Sequence, residues 1–286
     1  MNILRHPIFN IPNLLTASNF LCGIASITSC FAGRMDMSII FIGLALICDF
    51  LDGFAARLLS ISSDLGKQLD SLADVVSFGV APGIIMMFMI AVFTQSFQAT
   101  FLDTDLSANS FIHYQTQSWL NSLFHEIPND FDATIKYLPL AALMIPVLSL
   151  FRLAKFNIDT RQTDKFIGLP TPLNTLFFLF FPLYFLLNYT QWSQTFTSWF
   201  GFLFNPYFVA ITCISFSLLL VAEIPLMALK FKQFNWKGNE HKFILLISSG
   251  IVIPIFLVWS IPIIVLLFVS LSIIENTVVK NKIHEI

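Results

Sequence analysis

Residues 37–59 read M-S-I-I-F-I-G-L-A-L-I-C-D-F-L-D-G-F-A-A-R-L-L. The stretch is apolar over the length a helix needs to cross a bilayer, about 20 residues. Asp49 and Asp52 break the pattern: three residues apart, they share one helix face. Arg57 follows them. A carboxylate in a spanning helix costs a few kcal/mol on insertion scales, so keeping two calls for a use. Outward from this stretch, two matters decide the reading: whether lipid is the solvent, and where the other charges sit.

Composition answers the first. Of 286 residues, 56% are hydrophobic and 11% charged, and mean hydropathy is +0.79. That excludes a disordered chain, and the charged residues are too few to cover a soluble protein of this size. A net charge of −2 leaves no broad basic face, so nucleic acid is not a partner. Cys22, Cys30, Cys48 and Cys213 lie in apolar segments without metal-ligand spacing, and read as small buried hydrophobes. The first apolar stretch runs straight into more membrane sequence and reads as an anchor.

Apolar segments recur at 12–33, 37–59, 68–95, 135–157, 171–190, 204–229, 243–259 and 261–279. The last two come from one run too long for a single ordinary span. Pro254 and Pro262 interrupt it, which predicts a tight hairpin. Lys and Arg favour the cytoplasmic side. With the N-terminus inside, Arg5, Arg57, Lys67, Arg152, Lys155, Arg161, Lys165, Lys230, Lys232, Lys237, Lys242, Lys280 and Lys282 fall inside, and only Arg34 and Lys136 outside. The expectation is a polytopic all-α protein of about eight transmembrane helices with both ends cytoplasmic. Six is the alternative if weak segments merge or lie in the interface. Residues 1–286 then form a single membrane-embedded domain, with a core over 11–185, C-terminal helices over 204–279 and an extracytoplasmic segment at 96–133. That segment holds Asp103, Asp105, Glu126, Asp130 and Asp132 without a Lys or Arg. An interfacial helix is expected within it, from Phe111 to Phe124.

A second acidic pair, Asp70 and Asp74, lies four residues apart near the start of the third span. The connection after the second span is short, so the two helices are expected as antiparallel neighbours whose acidic faces meet near the cytoplasmic interface. Four converging carboxylates repel one another unless cations neutralise them. Oxygen-only ligands suit hard divalent ions such as Mg²⁺, Mn²⁺ or Ca²⁺ rather than zinc. Asp64 reads as a solvated helix end. Gly53, Ala56 and Gly66 leave helix faces bare for a charged ligand, although small residues also serve close helix packing. Arg57 can pair with a phosphate. The histidines His6, His113, His125, His241 and His284 read as solvated residues of loops and termini, and no Ser-His or Cys-His constellation is evident.

The residues Asp49, Asp52, Gly53, Ala56, Arg57, Gly66, Asp70 and Asp74 fill the pattern D-x2-D-G-x2-A-R-x8-G-x3-D-x3-D without a gap. On this pattern the chain resembles the CDP-alcohol phosphatidyltransferases. The resemblance implies an integral membrane enzyme that transfers a phosphatidyl group from a CDP-linked lipid to an alcohol with release of CMP, usually as a homodimer. It implies that Asp49, Asp52, Asp70 and Asp74 bind two divalent cations, Mg²⁺ or Mn²⁺, with Ca²⁺ as a non-productive occupant. It makes Asp74 the general base as well, and puts Gly53, Ala56, Arg57 and Ser63 against the cytidine diphosphate.

Three further blocks resemble the membrane-embedded bacterial and archaeal phosphatidylserine synthases. They are I-P-N-L-L-T-A-S-N-F-L-C-G at 11–23, L-D-S-L-A-D-V-V-S-F-G-V-A-P-G at 69–83, and F-R-L-A-K-F-N at 151–157 followed by F-I-G-L-P-T-P at 166–172. The implied substrates are CDP-diacylglycerol and L-serine within membrane lipids, in the inner (cell) membrane with the site facing the cytoplasm. Arg152 and Lys155, one turn apart at the same membrane side as the aspartates, are the candidates to meet an acceptor carboxylate or the lipid phosphate. Lys155 stands where that group more usually has Arg, and the positive-inside bias is an equal explanation for it. Asn13 and Thr16 are expected to add hydrogen bonds to the nucleotide. The rivals are the same chemistry on glycerol 3-phosphate or inositol phosphate, and a cation transporter using the acidic cluster. Transport sites lie at the midplane, often with internal repeats, and neither feature fits this sequence.

Overall fold

The computed structural model describes residues 9–61, 63–98, 106–124, 133–159, 165–227, 236 and 239–284. Helix α1 (Ile11–Phe31) begins where the Asn10 side chain accepts from the Asn13 N–H at 2.9 Å, with Pro12 in the first turn. It turns at Gly33, whose φ of +74° suits a glycine, into α2 (Met35–Leu58). The two form the most extensive helix pair, joined between Ser26 and Ser38 hydroxyls at 2.9 Å. Ser63 caps α3 (Asp64–Asp74) by accepting from the Gly66 N–H at 3.0 Å.

Helix α3 widens into a π-helical segment, Val75–Val80, and continues as α4 (Ala81–Gln98). This rod is the centre of the molecule, and the side chains from Ile85 to Phe93 are all buried. Small residues let its neighbours close in: a Cβ on Gly23 of α1 would stand 2.9 Å from the Ser77 Cα, and one on Gly83 2.6 Å from Pro146. Helix α5 (Ala108–Phe124) lies where an interfacial helix was expected, and it buries Phe111, Ile112 and Trp119. Helix α6 (Ala133–Tyr137) leads through the 3₁₀ turn Leu138–Leu143 into α7 (Met144–Ile158). Then come α8 (Thr171–Leu187), α9 (Trp192–Thr197) and α10 (Pro206–Val221). An aromatic cluster of Phe93, Phe180, Tyr184, Phe185, Trp192 and Phe204 fills the end of the bundle away from the aspartates. The heavy use of Phe is thus partly core packing.

Among the described residues, five helical stretches are long and apolar enough to cross a membrane: Ile11–Phe31, Met35–Leu58, Asp64–Thr94, Ile135–Ile158 and Glu240–Asn276. The expected spans at 171–190 and 204–229 are shorter helices of 17 and 16 residues. At 1.5 Å per residue they measure about 25 Å, less than the roughly 30 Å hydrocarbon core. Helix α8 gives way to a 3₁₀ turn at Tyr189–Gln191, and the end of the 204–229 span is replaced by β2 (Pro225–Met227), which pairs antiparallel with β1 (Lys165–Ile167). Among the described residues this ribbon is the departure from the all-α expectation. The ribbon ties the chain before α8 to the chain after α10.

The final apolar run divides as expected. Helix α11 (Glu240–Phe256) stops at Leu257, which has a φ of +47°, and α12 (Ser260–His284) packs back on it. Leu245 and Phe268 belong to one core cluster with Leu226 and Met227. On one continuous helix those two residues would lie about 35 Å apart. The outer faces of α1, α2 and α11 present Leu21, Ile40, Ile47, Phe50, Ile251 and Ile255 to the surroundings. Apolar surface on this scale belongs in lipid.

Candidate active site

Asp49, Asp70 and Asp74 each place a carboxylate oxygen within 4.8 Å of the other two. The i, i+4 spacing on α3 aligns Asp70 with Asp74, and α2 brings Asp49 to them. The neighbour relation differs from the expected one. Helix α1, not α2, packs closely on α3 and its π-helical continuation, so the acidic faces meet across an open gap. Asp52 borders that gap and is buried, with Thr16 Oγ1 donating to its Oδ2 at 2.6 Å. Asp74 is 7% exposed, and Asn19 Nδ2 donates to its Oδ1 at 3.1 Å. Asp64 is exposed in the first turn of α3, as expected.

The gap opens into a cavity of about 140 Å³, several times the roughly 30 Å³ share of one water. Asn13, Thr16, Gly53, Ala56, Ser63 and Gly66, all expected at the nucleotide, border it together with Asp52 and Asp70. Pro12, Ile61 and Lys67 complete its wall. No atom lies within 4 Å of a Cβ built on Gly53, so that glycine keeps space open rather than packing a helix. Ser63 and Gly66 belong to the N-terminal turn of α3, so its positive dipole end faces the cavity, which favours an anion there. Arg57, expected beside them, is exposed at the end of α2 and does not border the cavity.

The second block divides. Arg152 on α7 is 7% exposed, donates from Nη1 to Thr171 Oγ1 at 3.3 Å, and lies within electrostatic reach of Asp74. Lys155, one turn on, pairs with Glu223 at 2.9 Å near the surface. Asn157 accepts from Ser71 at 3.1 Å and donates to Gln68 at 3.4 Å, tying α7 to α3. Of the histidines, His113 lies within α5 and His241 in the first turn of α11 rather than in loops, and His241 Nδ1 is buried; His6 and His125 lie outside the described residues.

Two carboxylates at about 4 Å repel by about 4 kcal/mol at an effective dielectric of 20, and three are gathered here. Asp70 Oδ1 is also buried without a hydrogen-bond partner among the described residues. An all-oxygen cluster with an idle buried acceptor fits hard divalent cations, for which Asp49, Asp70 and Asp74 are the nearest ligands. Asn19 and Lys67 were missed as site residues. The signal for Asn19 is a stripe on one face of α1, Pro12-Thr16-Asn19-Gly23, at helical spacing.

Residues 9–113 match the model of the CDP-alcohol phosphatidyltransferase family. The chain is similar to the CDP-diacylglycerol–serine O-phosphatidyltransferase of Bacillus subtilis (strain 168), at 28% identity over 231 residues, 81% of this chain and 94% of that protein. It is 32% identical to the protein of the same name from Helicobacter pylori (strain J99) over 169 residues, 58% of this chain and 54% of the relative, so it matches about half of that relative's length. The Saccharomyces cerevisiae protein of that name is 44% identical over 94 residues, 30% of this chain and 32% of the relative. All of Asp49, Asp52, Asp70 and Asp74 fall inside the stretch matched by the family.

Proposed function

We propose, from the match of residues 9–113 to the CDP-alcohol phosphatidyltransferase family model, that the protein transfers a phosphatidyl group from CDP-diacylglycerol to L-serine, giving phosphatidylserine and CMP. The observation that carries the reading is the convergence of Asp49, Asp70 and Asp74 beside a small-residue cavity. Arg152 supports serine as the acceptor, because a buried guanidinium near Asp74 suits a carboxylate.

Asp74 takes the proton from the serine hydroxyl. Asn19 occupies its Oδ1, which leaves Oδ2 for that proton. The serine oxygen then bonds to the lipid-linked phosphorus, and the bond to the CMP oxygen breaks, with the electron pair leaving on CMP. Gly53 and Ala56 let the diphosphate approach α2, while Ser63, Gly66 and the α3 dipole face its charge. Asn13, Thr16 and Lys67 line the remaining wall, and Arg57 reaches in only by a side-chain swing. Asp49, Asp52, Asp70 and Asp74 would hold two divalent cations, Mg²⁺ or Mn²⁺, which when bound neutralise the diphosphate and stabilise the entering and leaving oxygens. Pairing with Glu223 gives Lys155 a role outside the acceptor site.

In this reading the chain crosses the cell membrane eight times, with both ends and the site on the cytoplasmic side, and works as a homodimer. The short helices α8 and α10 cross with local thinning of the bilayer. Purified protein supplied with labelled serine, CDP-diacylglycerol and Mn²⁺ or Mg²⁺ should yield labelled phosphatidylserine and equimolar CMP. With glycerol 3-phosphate supplied alongside, label left wholly in free serine while glycerol 3-phosphate is consumed would contradict the assignment of the acceptor.

A further inference from the structure

Beyond Arg152, towards the middle of the bundle, several buried polar groups have no partner among the described residues. On α7 the Ser149 hydroxyl is fully buried and unbonded, and Arg152 leaves Nε buried and idle. On α8, one turn beyond Thr171, Asn174 has no exposed surface and leaves both Nδ2 and Oδ1 unbonded. On α10 the Ser217 hydroxyl is in the same state.

Their neighbours place them at a common depth. Thr175, next to Asn174, donates to the Phe78 carbonyl at 2.9 Å. A Cβ on Gly79 would stand 3.1 Å from Ser149 Cβ. Phe177, one turn beyond Asn174, stacks on Phe216, next to Ser217, with centroids 3.8 Å apart. Helices α7 and α8 both pack on the π-helical segment that directly follows Asp74, and α10 packs on α7 and α8 beside them.

Unbonded amides and hydroxyls in a dry interior cost stability, so a small polar occupant fits the arrangement better than none. The donors are Arg152 Nε and Asn174 Nδ2; the acceptors are Asn174 Oδ1 and the two hydroxyls. A carboxylate needs the former and an ammonium the latter, so the set complements a small zwitterion. Two larger cavities, of about 260 and 320 Å³, are lined almost wholly by apolar side chains and cannot serve one. Resting on the serine-transfer reading above, we propose that Asn174 is a specificity-determining residue of the acceptor site. Its amide reads the α-amino and α-carboxylate groups of serine beside Arg152, with Ser149 and Ser217 completing the contacts.

Asn174→Leu replaces the amide by an apolar group of similar size, and Ser217→Ala removes one hydroxyl. Asn174→Leu should raise the KM for serine about tenfold or more, the scale of one lost hydrogen bond to a charged group. The KM for CDP-diacylglycerol should stay within about twofold, and thermal stability in detergent should be unchanged or higher, since an idle buried amide is gone. Should Asn174→Leu fail to fold, Ser217→Ala must give the rise in serine KM by itself. An unchanged serine KM in a folded Asn174→Leu, or in Ser217→Ala where that variant stands in, overturns the inference, because the amide then holds only water. A wild-type protein that ignores serine and uses another alcohol overturns the serine reading, and this inference with it. Serine use by wild type and variant with the same serine KM overturns this inference alone.

Discussion

Asp52 and Asp74 are each held by a residue of α1, Thr16 and Asn19. Thr16 thereby fixes the direction of Asp52, and Asn19 fixes that of Asp74 through one of its two oxygens. Gly53 offers the clearest test at this scale, because a methyl there meets nothing within 4 Å and yet enters the cavity wall. Gly53→Ala should leave the stability unchanged or raise it by up to about 1 kcal/mol of helix propensity, read from a melting curve, while the KM for CDP-diacylglycerol rises several-fold; an unchanged KM would separate the cavity from the nucleotide. The aspartates were legible in the sequence because helical spacing alone puts Asp49 with Asp52 and Asp70 with Asp74. Asn19 was not, since one amide in an apolar helix shows no partner until the helices are packed. Arg57 illustrates the reverse: its type and position suit a phosphate, but its side chain lies outside the cavity.

Among the elements, the junction of α1 with the π-helical segment after Asp74 controls the site. Gly23 touches the Ser77 backbone there, and the same face of α1 carries Thr16 and Asn19. Gly23→Leu should push α1 away from that segment, destabilise by about 1–3 kcal/mol, and lower activity by releasing Asp52 and Asp74 from their partners. A detergent melting curve and a CMP-release assay check both parts. Full activity with an unshifted melt would show that this contact does not position the carboxylates. Long apolar runs made the helices readable, and Pro254 with Pro262 marked the final hairpin. The π-helical segment, the ribbon and the shortness of α8 and α10 depend on contacts between distant segments, which a single-sequence pattern does not encode.

Across the whole molecule, the proposed orientation rests on where the basic residues fall. The two basic residues outside the set expected on the cytoplasmic side are locally accounted for. Arg34 is bonded to Asp36 at 3.0 and 2.9 Å, and Lys136 sits over the Tyr137 ring at 5.6 Å. A cysteine placed at Leu65, exposed near the carboxylates, should label only from the cytoplasmic side, and one at Ser107 only from the opposite side. Labelling of both from one side would overturn the proposed orientation. The proposed number of crossings rests on an inference from charge, because hydropathy alone does not separate a short span from a buried helix.

The central claim is that the carboxylate cluster carries out phosphatidyl transfer, with Asp74 as the base. The most direct measurement is CMP release by purified Asp74→Asn protein from CDP-diacylglycerol and serine, alongside a check of its membrane insertion. Loss of CMP release from a normally inserted protein is the predicted result, and CMP release at the wild-type rate would contradict the account.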